Sequence, residues 1–384
     1  MATLDYKVIF FEILPKLPTK SLIRFKCVSK YFNSAISSAV LMDLHFRHHH
    51  LSSSDQHLLI LPDKRSINCY NLHHPLSFST PTSTFTWSDS SVISVVGSSN
   101  GLLCVFVQTT DIHNSDIHMC VLNPTTRLHR DIHVSYDDVR FNLGFGFDPQ
   151  TLDHKLVIVH ADYKTLIARV FSLNTNSWNI IQTQFPDTLI LERCNSGVLV
   201  DHNLLHWIVW NPSLIKRDIV CFNLSTNKWT NPVLLPEFYY NTIHKNDILY
   251  DIGVIDGRLF SSFENKVEDR LEVWVMKEYG VQGSWFRLLS MPIPRGFHGS
   301  QVKLLNIFIR RSWHAGTVPV YSREGSDEVL IQQRQREKLQ WYNTRDGRLT
   351  DAVFNGAPNS CDAQVYTCCT SLVQPSGGEL FDES

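Results

Sequence analysis

Charged residues make up only 19% of the 384-residue chain, and neither sign is in excess, with 35 Lys and Arg against 37 Asp and Glu. A chain without a basic surplus is a poor general binder of nucleic acid or anionic lipid, since both need a positive surface that displaces counterions. No nucleic acid and no membrane is therefore expected as a partner. No run of about 18 apolar residues occurs, which leaves no expected membrane-spanning helix. The start has no basic segment, and the apolar run from Val8 to Phe11 stops at Glu12, too short for a secretory signal. The nine cysteines are Cys27, Cys69, Cys104, Cys120, Cys194, Cys221, Cys361, Cys368 and Cys369, and no two stand at C-x-x-C spacing. An odd, scattered set fits free thiols in a reducing compartment, so a cytoplasmic or nuclear location is expected. There is no P-loop and no G-x-S-x-G, and the acidic residues form no recognisable acid–base pair. No catalytic residue, cofactor or metal is expected.

What is present is apolar and aromatic: 43% hydrophobic residues, 11% Phe, Trp and Tyr. This is ample for a large core and leans towards β-structure. Residues 1–46 read differently from the rest. Ile9, Phe10, Ile13, Leu14 and Leu17 recur at helical spacing until Pro15 and Pro18 interrupt them. A second helix is expected from Thr19 or Ser21, either of which would cap it, with Leu22, Phe25 and Val28 on one face. A third carries Phe32, Ile36, Val40 and Leu44. Three short helices make a poor core alone, so the module is expected to complete it against a partner or the following domain. Residues 47–55 read as a polar linker, 56–375 as a β-domain and 376–384 as a tail.

The β-domain repeats itself. Val121 to Arg127, Phe171 to Trp178, Phe222 to Trp229 and Val273 to Tyr279 align, with Leu122, Leu173, Leu224 and Val275 at a constant step of 51 residues. Gln340 to Arg348 looks like a further copy. Each copy is a strand, a tight Asn/Thr turn and a returning strand, and a second hairpin lies between copies. Two hairpins per period give four strands, and a period near fifty predicts a kelch-like β-propeller rather than a β-sandwich.

The motifs then resemble a known family. Phe11 to Lys30, followed by Tyr31-Phe32 and Ile36-Ser-Ser38, resembles a plant F-box. Ser99-Asn-Gly-Leu-Leu103, Leu122 to Arg127, Leu143-Gly-Phe-Gly-Phe-Asp148 and Leu271 to Met276 resemble the kelch-like domain found behind such modules, with S-locus F-box-like relatives. The resemblance implies a small all-α F-box followed by an all-β propeller. It implies the substrate-recognition subunit of an SCF-type ubiquitin ligase, docking a Skp-type adaptor and through it a cullin, with an unidentified target protein on the β-domain. Catalysis would sit on other subunits. By motif position, adaptor contact falls to Ile13, Leu14, Leu17, Pro18, Leu22, Phe25, Cys27, Val28 and Phe32. The chain departs from the family in two places: Leu4 to Ile9 lacks the usual Leu-Pro start, and Phe32 replaces a common Trp. The alternatives are a propeller enzyme, a sugar or small-molecule binding protein, and a receptor uncoupled from ubiquitination.

Other features read as structural. Gly144 and Gly146 lack the third glycine of a nucleotide loop and are expected to allow close packing. His45 and His48 to His50 read as exposed linker rather than a metal site. Cys361, Cys368 and Cys369 lack paired zinc spacing. The basic run from Gln332 to Lys338 reads as a solvated insertion. Trp178, Trp229 and Trp285 follow turns and read as packing residues. Long inter-strand segments around His129–Arg140, Pro236–Asp247 and Pro294–Asp327 are the expected target-recognition loops.

Overall fold

A computed structural model of the chain describes residues 5–49, 56–61, 65–71, 81–109, 116–134, 142–162, 164–185, 188–191, 196–200, 203–213, 216–241, 248–265, 268, 270–292, 317–322, 327–333, 338–352 and 364–381. By its contacts the chain divides into two compact units, one of Met1–Val134, Gln150–Asp153 and Val353–Ser384, the other of Ser135–Pro149 and His154–Ala352.

In the first unit the N-terminal residues are helical, but with more breaks than their periodicity predicts. Tyr6–Val8 is α-helical, Ile9–Ile13 continues as a π-turn, and Leu14–Lys16 tightens to a 3-10 turn at Pro15, which has no N–H to extend the ladder. The next helix, Thr19–Lys26, takes no side-chain cap from Thr19 or Ser21; the Pro18 carbonyl instead accepts from the Ser21 and Leu22 amides. The expected third helix is two, Lys30–Ile36 and Ala39–His49. Ser29 caps the first through the Phe32 amide. Ser38 separates them, its hydroxyl bonding the Ala35 carbonyl and the Leu41 amide. The last helix runs through His49, three residues into the expected linker, with an Arg47–Asp43 ion pair one turn apart. Nothing in the Arg-His-His stretch breaks a helix, which is why polarity alone placed the boundary too early. His45 is buried, not exposed, with Nε2 2.9 Å from the Leu17 carbonyl; His50 lies outside the described residues.

Among the described residues the strands form six antiparallel sheets. In the first unit, Gln56–Leu61, Ser66–Asn71 and Ser83–Thr86 make one, and Ser91–Ser99, Leu102–Thr109, Ile117–Leu122 and Leu128–His133 a second. In the second unit, Asn142–Asp148, Asp153–Asp162, Thr165–Ser172 and Ser177–Gln184 make the third. The fourth has Ile190–Leu191 and Val198–Val200 on one side of Leu204–Asn211, followed by Lys216–Asn223 and Lys228–Val233. Ile248–Ile255, Arg258–Asn265, Arg270–Met276 and Trp285–Pro292 make the fifth, and Thr317–Ser322, Glu328–Gln333, Lys338–Asn343 and Leu349–Asp351 the sixth. Strands neighbour one another in chain order, the up-and-down sheet that a propeller repeats.

One turn chemistry recurs between the last two strands. The side chains of Asn123, Asn223 and Asn343 each accept from the amides two and three residues on, and Ser172 does so from Thr175. Four residues after each stands a left-handed residue: Arg127, Asn176, Asn227 and Gly347. This turn corrects the repeat register. The residues before it are Leu122, Phe171, Phe222 and Tyr342, which pair with His129, Trp178, Trp229 and Leu349 respectively. Leu122 is thus equivalent to Phe171, not Leu173; the first interval is two residues shorter than the sequence step, because leucine stands before the turn in one copy and inside it in the next two.

In the second unit the third and fourth sheets pack through Val157, Val159, Leu166 and Val170 against Leu205, Trp207, Val209 and Phe222. Gly144 and Gly146 permit this approach, as expected. A Cβ on the first would stand 2.7 Å from the Trp207 ring, and one on the second 2.5 Å from a Leu224 methyl. A buried ion pair ties the same sheets: Lys155 Nζ donates to Asp148 Oδ2 at 2.8 Å and to the Leu224 carbonyl at 2.6 Å, and Ser225 donates to Asp148 Oδ1 at 2.7 Å. Each charge is fully hydrogen-bonded, the condition under which such a pair survives burial.

The C-terminal residues complete the first unit. Gln364–Cys369 pairs with Gln56–Leu61 in six consecutive positions and becomes the first strand of the first sheet. Beyond it, Asn123 Nδ2 donates to the carbonyls of Ser371 and Val373, and Leu372 enters the helical core beside Phe10, Leu14, Leu22 and Ile36. Glu379–Leu380 then pairs along Leu128–His133, and Phe381 stacks edge-on against Phe85, Trp87 and His129. Residues 376–381, expected as a tail, are therefore part of the fold. Leu372→Ala removes a fully buried side chain and will cost about 2–5 kcal/mol of stability. In hydrogen exchange, the loss of protection will centre on the helices between Thr19 and His49.

Candidate protein-docking site

The π-turn and 3-10 turn decide which N-terminal side chains face outward. They bury Phe10 and Leu14 and leave Phe11 and Ile13 exposed. From there a line of aromatic rings runs across the helices. Phe11 meets Phe10 at 4.9 Å between centroids, Phe10 meets Tyr6 at 5.8 Å, and Tyr6 meets Tyr31 at 5.3 Å. Tyr31 meets Phe32 at 5.8 Å and Phe32 meets Phe25 at 6.2 Å. Phe11 and Tyr31 are each 50% exposed, and Val28 is 67% exposed. Phe10 and Phe32 anchor the line from within, and the exposed groups along it, Tyr6, Phe11, Phe25, Tyr31 and Val28, form the kind of apolar surface that protein partners cover. The module as a whole is basic: residues 5–49 hold seven Lys and Arg against three Asp and Glu, although the whole chain carries a net charge of −2.

The nine sequence-expected contact residues divide by burial. Ile13, Pro18, Phe25, Cys27 and Val28 are exposed, and Leu17 and Phe32 are half-buried, so all seven can touch a partner. Leu14 and Leu22 cannot. They are 3% and 0% exposed and sit in the module's own core with Ala35, Ile36 and Leu41. The motif places them beside true surface positions because one helical turn carries both faces. Sequence reasoning missed Phe11 and Tyr31; an aromatic residue on either side of the Ile13–Val28 stretch was the available signal. The departures from the family leave the surface intact. Asp5 accepts from the Lys7 amide in place of a proline start, and Phe32 keeps the ring line unbroken.

The expected recognition loops are only partly visible. Within 129–140, residues up to His133 belong to a strand and 135–140 lie outside the described residues. Pro236 leads into the Glu237–Asn241 helix, and 242–247 and 293–316 lie outside the described residues, as do 334–337 and Cys361. Trp229 packs on Phe222, Trp207 and Phe185, and Trp285 donates to the Leu234 carbonyl, in keeping with a packing role. The cysteines Cys69, Cys104, Cys120 and Cys368 are buried, and desolvation pushes their thiols up, Cys69 to about 11. They are core residues rather than thiolate nucleophiles.

One polar cluster in the second unit has unusual electrostatics. His206 is fully buried in the Leu204–Asn211 strand, its Nδ1 3.2 Å from the Val198 carbonyl and its Nε2 2.6 Å from the Tyr279 hydroxyl, which lies 3.5 Å from Cys221 Sγ. The carbonyl fixes the proton on Nδ1, so Nε2 accepts from the tyrosine. Burial lowers the His206 pKa to about 4, outweighing the carbonyl contacts that would raise it. The group locks the Tyr279 turn onto its neighbour and holds no charge at neutral pH.

Two outcomes follow. Phe11→Ala and Tyr31→Ala will change unfolding free energy by no more than about 1 kcal/mol, whereas Leu22→Ala will cost about 2–5 kcal/mol, as urea titration will show. Stability will also depend on pH through His206. The unfolded chain takes up a proton near pH 6.5 that the folded one refuses until about 4. Stability therefore falls as pH drops through that window, by on the order of 3 kcal/mol, and levels off below it. His206→Gln will flatten that slope in denaturation measured from pH 7 to 4.

Comparison with known proteins bears on both parts of the chain. The F-box domain matches residues 8–43, and the F-box associated beta propeller domain matches residues 49–374. The F-box protein CPR1 of Arabidopsis thaliana is 27% identical over 418 aligned residues, covering 99% of this chain and 91% of that protein. An F-box/kelch-repeat protein of the same plant is 25% identical, covering 95% of this chain and 94% of its own length. Solved structures are more distant. A prolyl endopeptidase aligns with 93% of this chain and 56% of its own at 8% identity and a TM-score of 0.39, too slight a likeness to carry an argument.

Proposed function

Because the chain belongs to the F-box proteins with an F-box associated β-propeller, we propose that it is the target-recognition subunit of an SCF-type ubiquitin ligase. In this reading the helical module docks a Skp-type adaptor, which joins a cullin, and the propeller holds a protein target, in the cytoplasm or nucleus. The observation that carries the reading is the exposed aromatic row from Phe11 to Phe25, bordered by Ile13 and Val28. A monomer gains nothing by keeping those side chains in water, and an adaptor face would bury them. The module's basic excess favours an acidic partner surface and would speed the encounter at low salt.

The mechanism is positional. No side chain here need touch the reacting atoms. Holding a target near a charged conjugating enzyme raises the effective concentration of its lysines, and rigid attachment keeps that concentration high. Leu372 serves this by fixing the docking helices to the residues that follow the β-domain's closing strand.

The test is capture of a purified plant Skp-type adaptor by the full-length chain. The wild type will bind, and Val28→Asp with Tyr31→Ala will abolish binding while the unfolding midpoint stays within a few degrees. Failure of the wild-type chain to bind any Skp-type adaptor would remove the ligase reading.

A further inference from the structure

Outer strands of stacked sheets carry unpaired amides and carbonyls, and proteins that must stay monomeric blunt them with charge, proline, bulges or brevity. Each sheet has a first and a last strand at its two edges, and five of the six last strands follow that rule. Leu128–His133 contains Arg130 and Asp131 and is covered at Leu128 and His129 by Glu379–Leu380. Lys228–Val233 begins with Lys228, contains Pro232 and breaks register between Ile219 and Cys221. Trp285–Pro292 contains Arg287, ends in proline and breaks register between Val273 and Trp274. Ser83–Thr86 has four residues and Leu349–Asp351 three.

Ser177–Gln184 does none of these things. All eight of its residues pair in unbroken register with Thr165–Ser172, and it contains no charged residue, proline or glycine. Among the described residues no strand pairs with its other side. Ile180 is 64% exposed. Two residues away, Trp178 stacks on Phe171 at 5.0 Å between centroids and lies under the Arg169 guanidinium at 5.1 Å.

Building on the target-recognition reading, we propose that this edge recognises an extended segment of the target protein, which adds to it as an antiparallel strand. The molecule itself displays this mode of binding. At the outer strand of the second sheet, Glu379–Leu380 pairs with Leu128 and His129, and the next residue, Phe381, seats its ring among Phe85, Trp87 and His129. The same elements stand at Ser177–Gln184: an edge with which no strand pairs among the described residues, and an aromatic and an aliphatic group, Trp178 and Ile180, on one side of the strand. The occupant is therefore a strand-forming stretch with an apolar side chain at alternate positions. Main-chain bonds supply affinity, and the Trp178–Ile180 side selects the residue facing it. A second copy of the chain fits less well, because two eight-residue edges alone bury far less than the roughly 1,000 Å² that a stable dimer needs.

The test uses the full-length chain and a fluorescent peptide carrying the sequence of residues 165–172, the strand whose alternation already suits this edge. Anisotropy will show saturable binding. Ile180→Lys with Gln182→Lys, both exposed positions, will weaken it about tenfold or more, and so will N-methylation of alternate peptide amides, which needs no change in the protein should the variant unfold. Upon binding, amides of residues 177–184 will gain protection from hydrogen exchange. Equal binding by the variant or the methylated peptide overturns the proposal, as does absence of binding up to millimolar peptide. A concentration-dependent dimer that the lysine variant dissolves overturns it in favour of a second copy. Adaptor capture, measured in parallel on both chains, reports on the ligase reading separately: a chain that binds adaptor but not peptide refutes only the edge.

Discussion

Six consecutive residue pairs between Gln56–Leu61 and Gln364–Cys369 hold together strands more than 300 positions apart in sequence, and much of the first unit depends on them. Every other sheet takes its strands from one continuous stretch of chain, apart from the short Glu379–Leu380 addition to the second. The first sheet alone needs a distant segment for its opening strand. Closing so long a loop has a high entropic cost, though one that grows only slowly with length. It is offset by burial of Leu59, Leu61 and Cys368 in the same core as Phe85 and Val105. Once the strand is placed, the residues after it are fixed too. Gly101, at φ +78, admits Ser371 where any Cβ would collide with it, and Asn123 holds the carbonyls on either side of Leu372.

This makes the docking module and the β-domain mechanically continuous within the first unit. Six short helical segments with six buried apolar positions would be marginal alone, and a seventh, Leu372, is supplied from the far end of the chain. The expectation that the helices need outside help is met by the chain's own C-terminal segment, before any partner is considered. What remains exposed is then surplus to folding. The exposed members of the docking row, Phe11, Tyr31, Phe25 and Val28, can be given to a partner, because none of them is among the buried residues of the helical core, whereas Phe10 belongs to that core.

How much of this was legible in the sequence depended on the range of the interaction. The alternation of helix and strand, the turn after each third strand and the role of Gly144 and Gly146 are local, and the spacing showed them. Register was harder. Leucine precedes the turn at Asn123 but follows Ser172 and Asn223, so matching leucines displaced the first copy by two residues, where matching the side chains that accept the turn amides aligns all four. The docking face was legible as a stretch but not as a surface. Leu14 and Leu22 were indistinguishable by type from Ile13 and Val28; the change of pitch around Pro15 turns Leu14 inward, and the buried face of the Thr19–Lys26 helix holds Leu22. Long-range links, the Lys155–Asp148 pair, His45 on Leu17 and Leu372 among the helices, left no periodic trace. Each joins residues whose local sequence is ordinary.

The two surfaces differ in what recognition would cost. At the helical module side chains do the reading, and their rings already support one another in the free chain, so little ordering remains when a partner covers them. At the Ser177–Gln184 edge the backbone does the reading. A strand held in unbroken register by its neighbour has its hydrogen-bonding groups already aligned, but the incoming segment must be ordered from an extended ensemble, which limits affinity. Tight, side-chain-specific attachment suits a permanent scaffold contact. Weaker, sequence-tolerant attachment suits a target that must be released after modification. That the chain blunts the last strand of every other sheet and leaves this one plain fits a division of labour. In the proposed reading, one face stays bound and one edge exchanges.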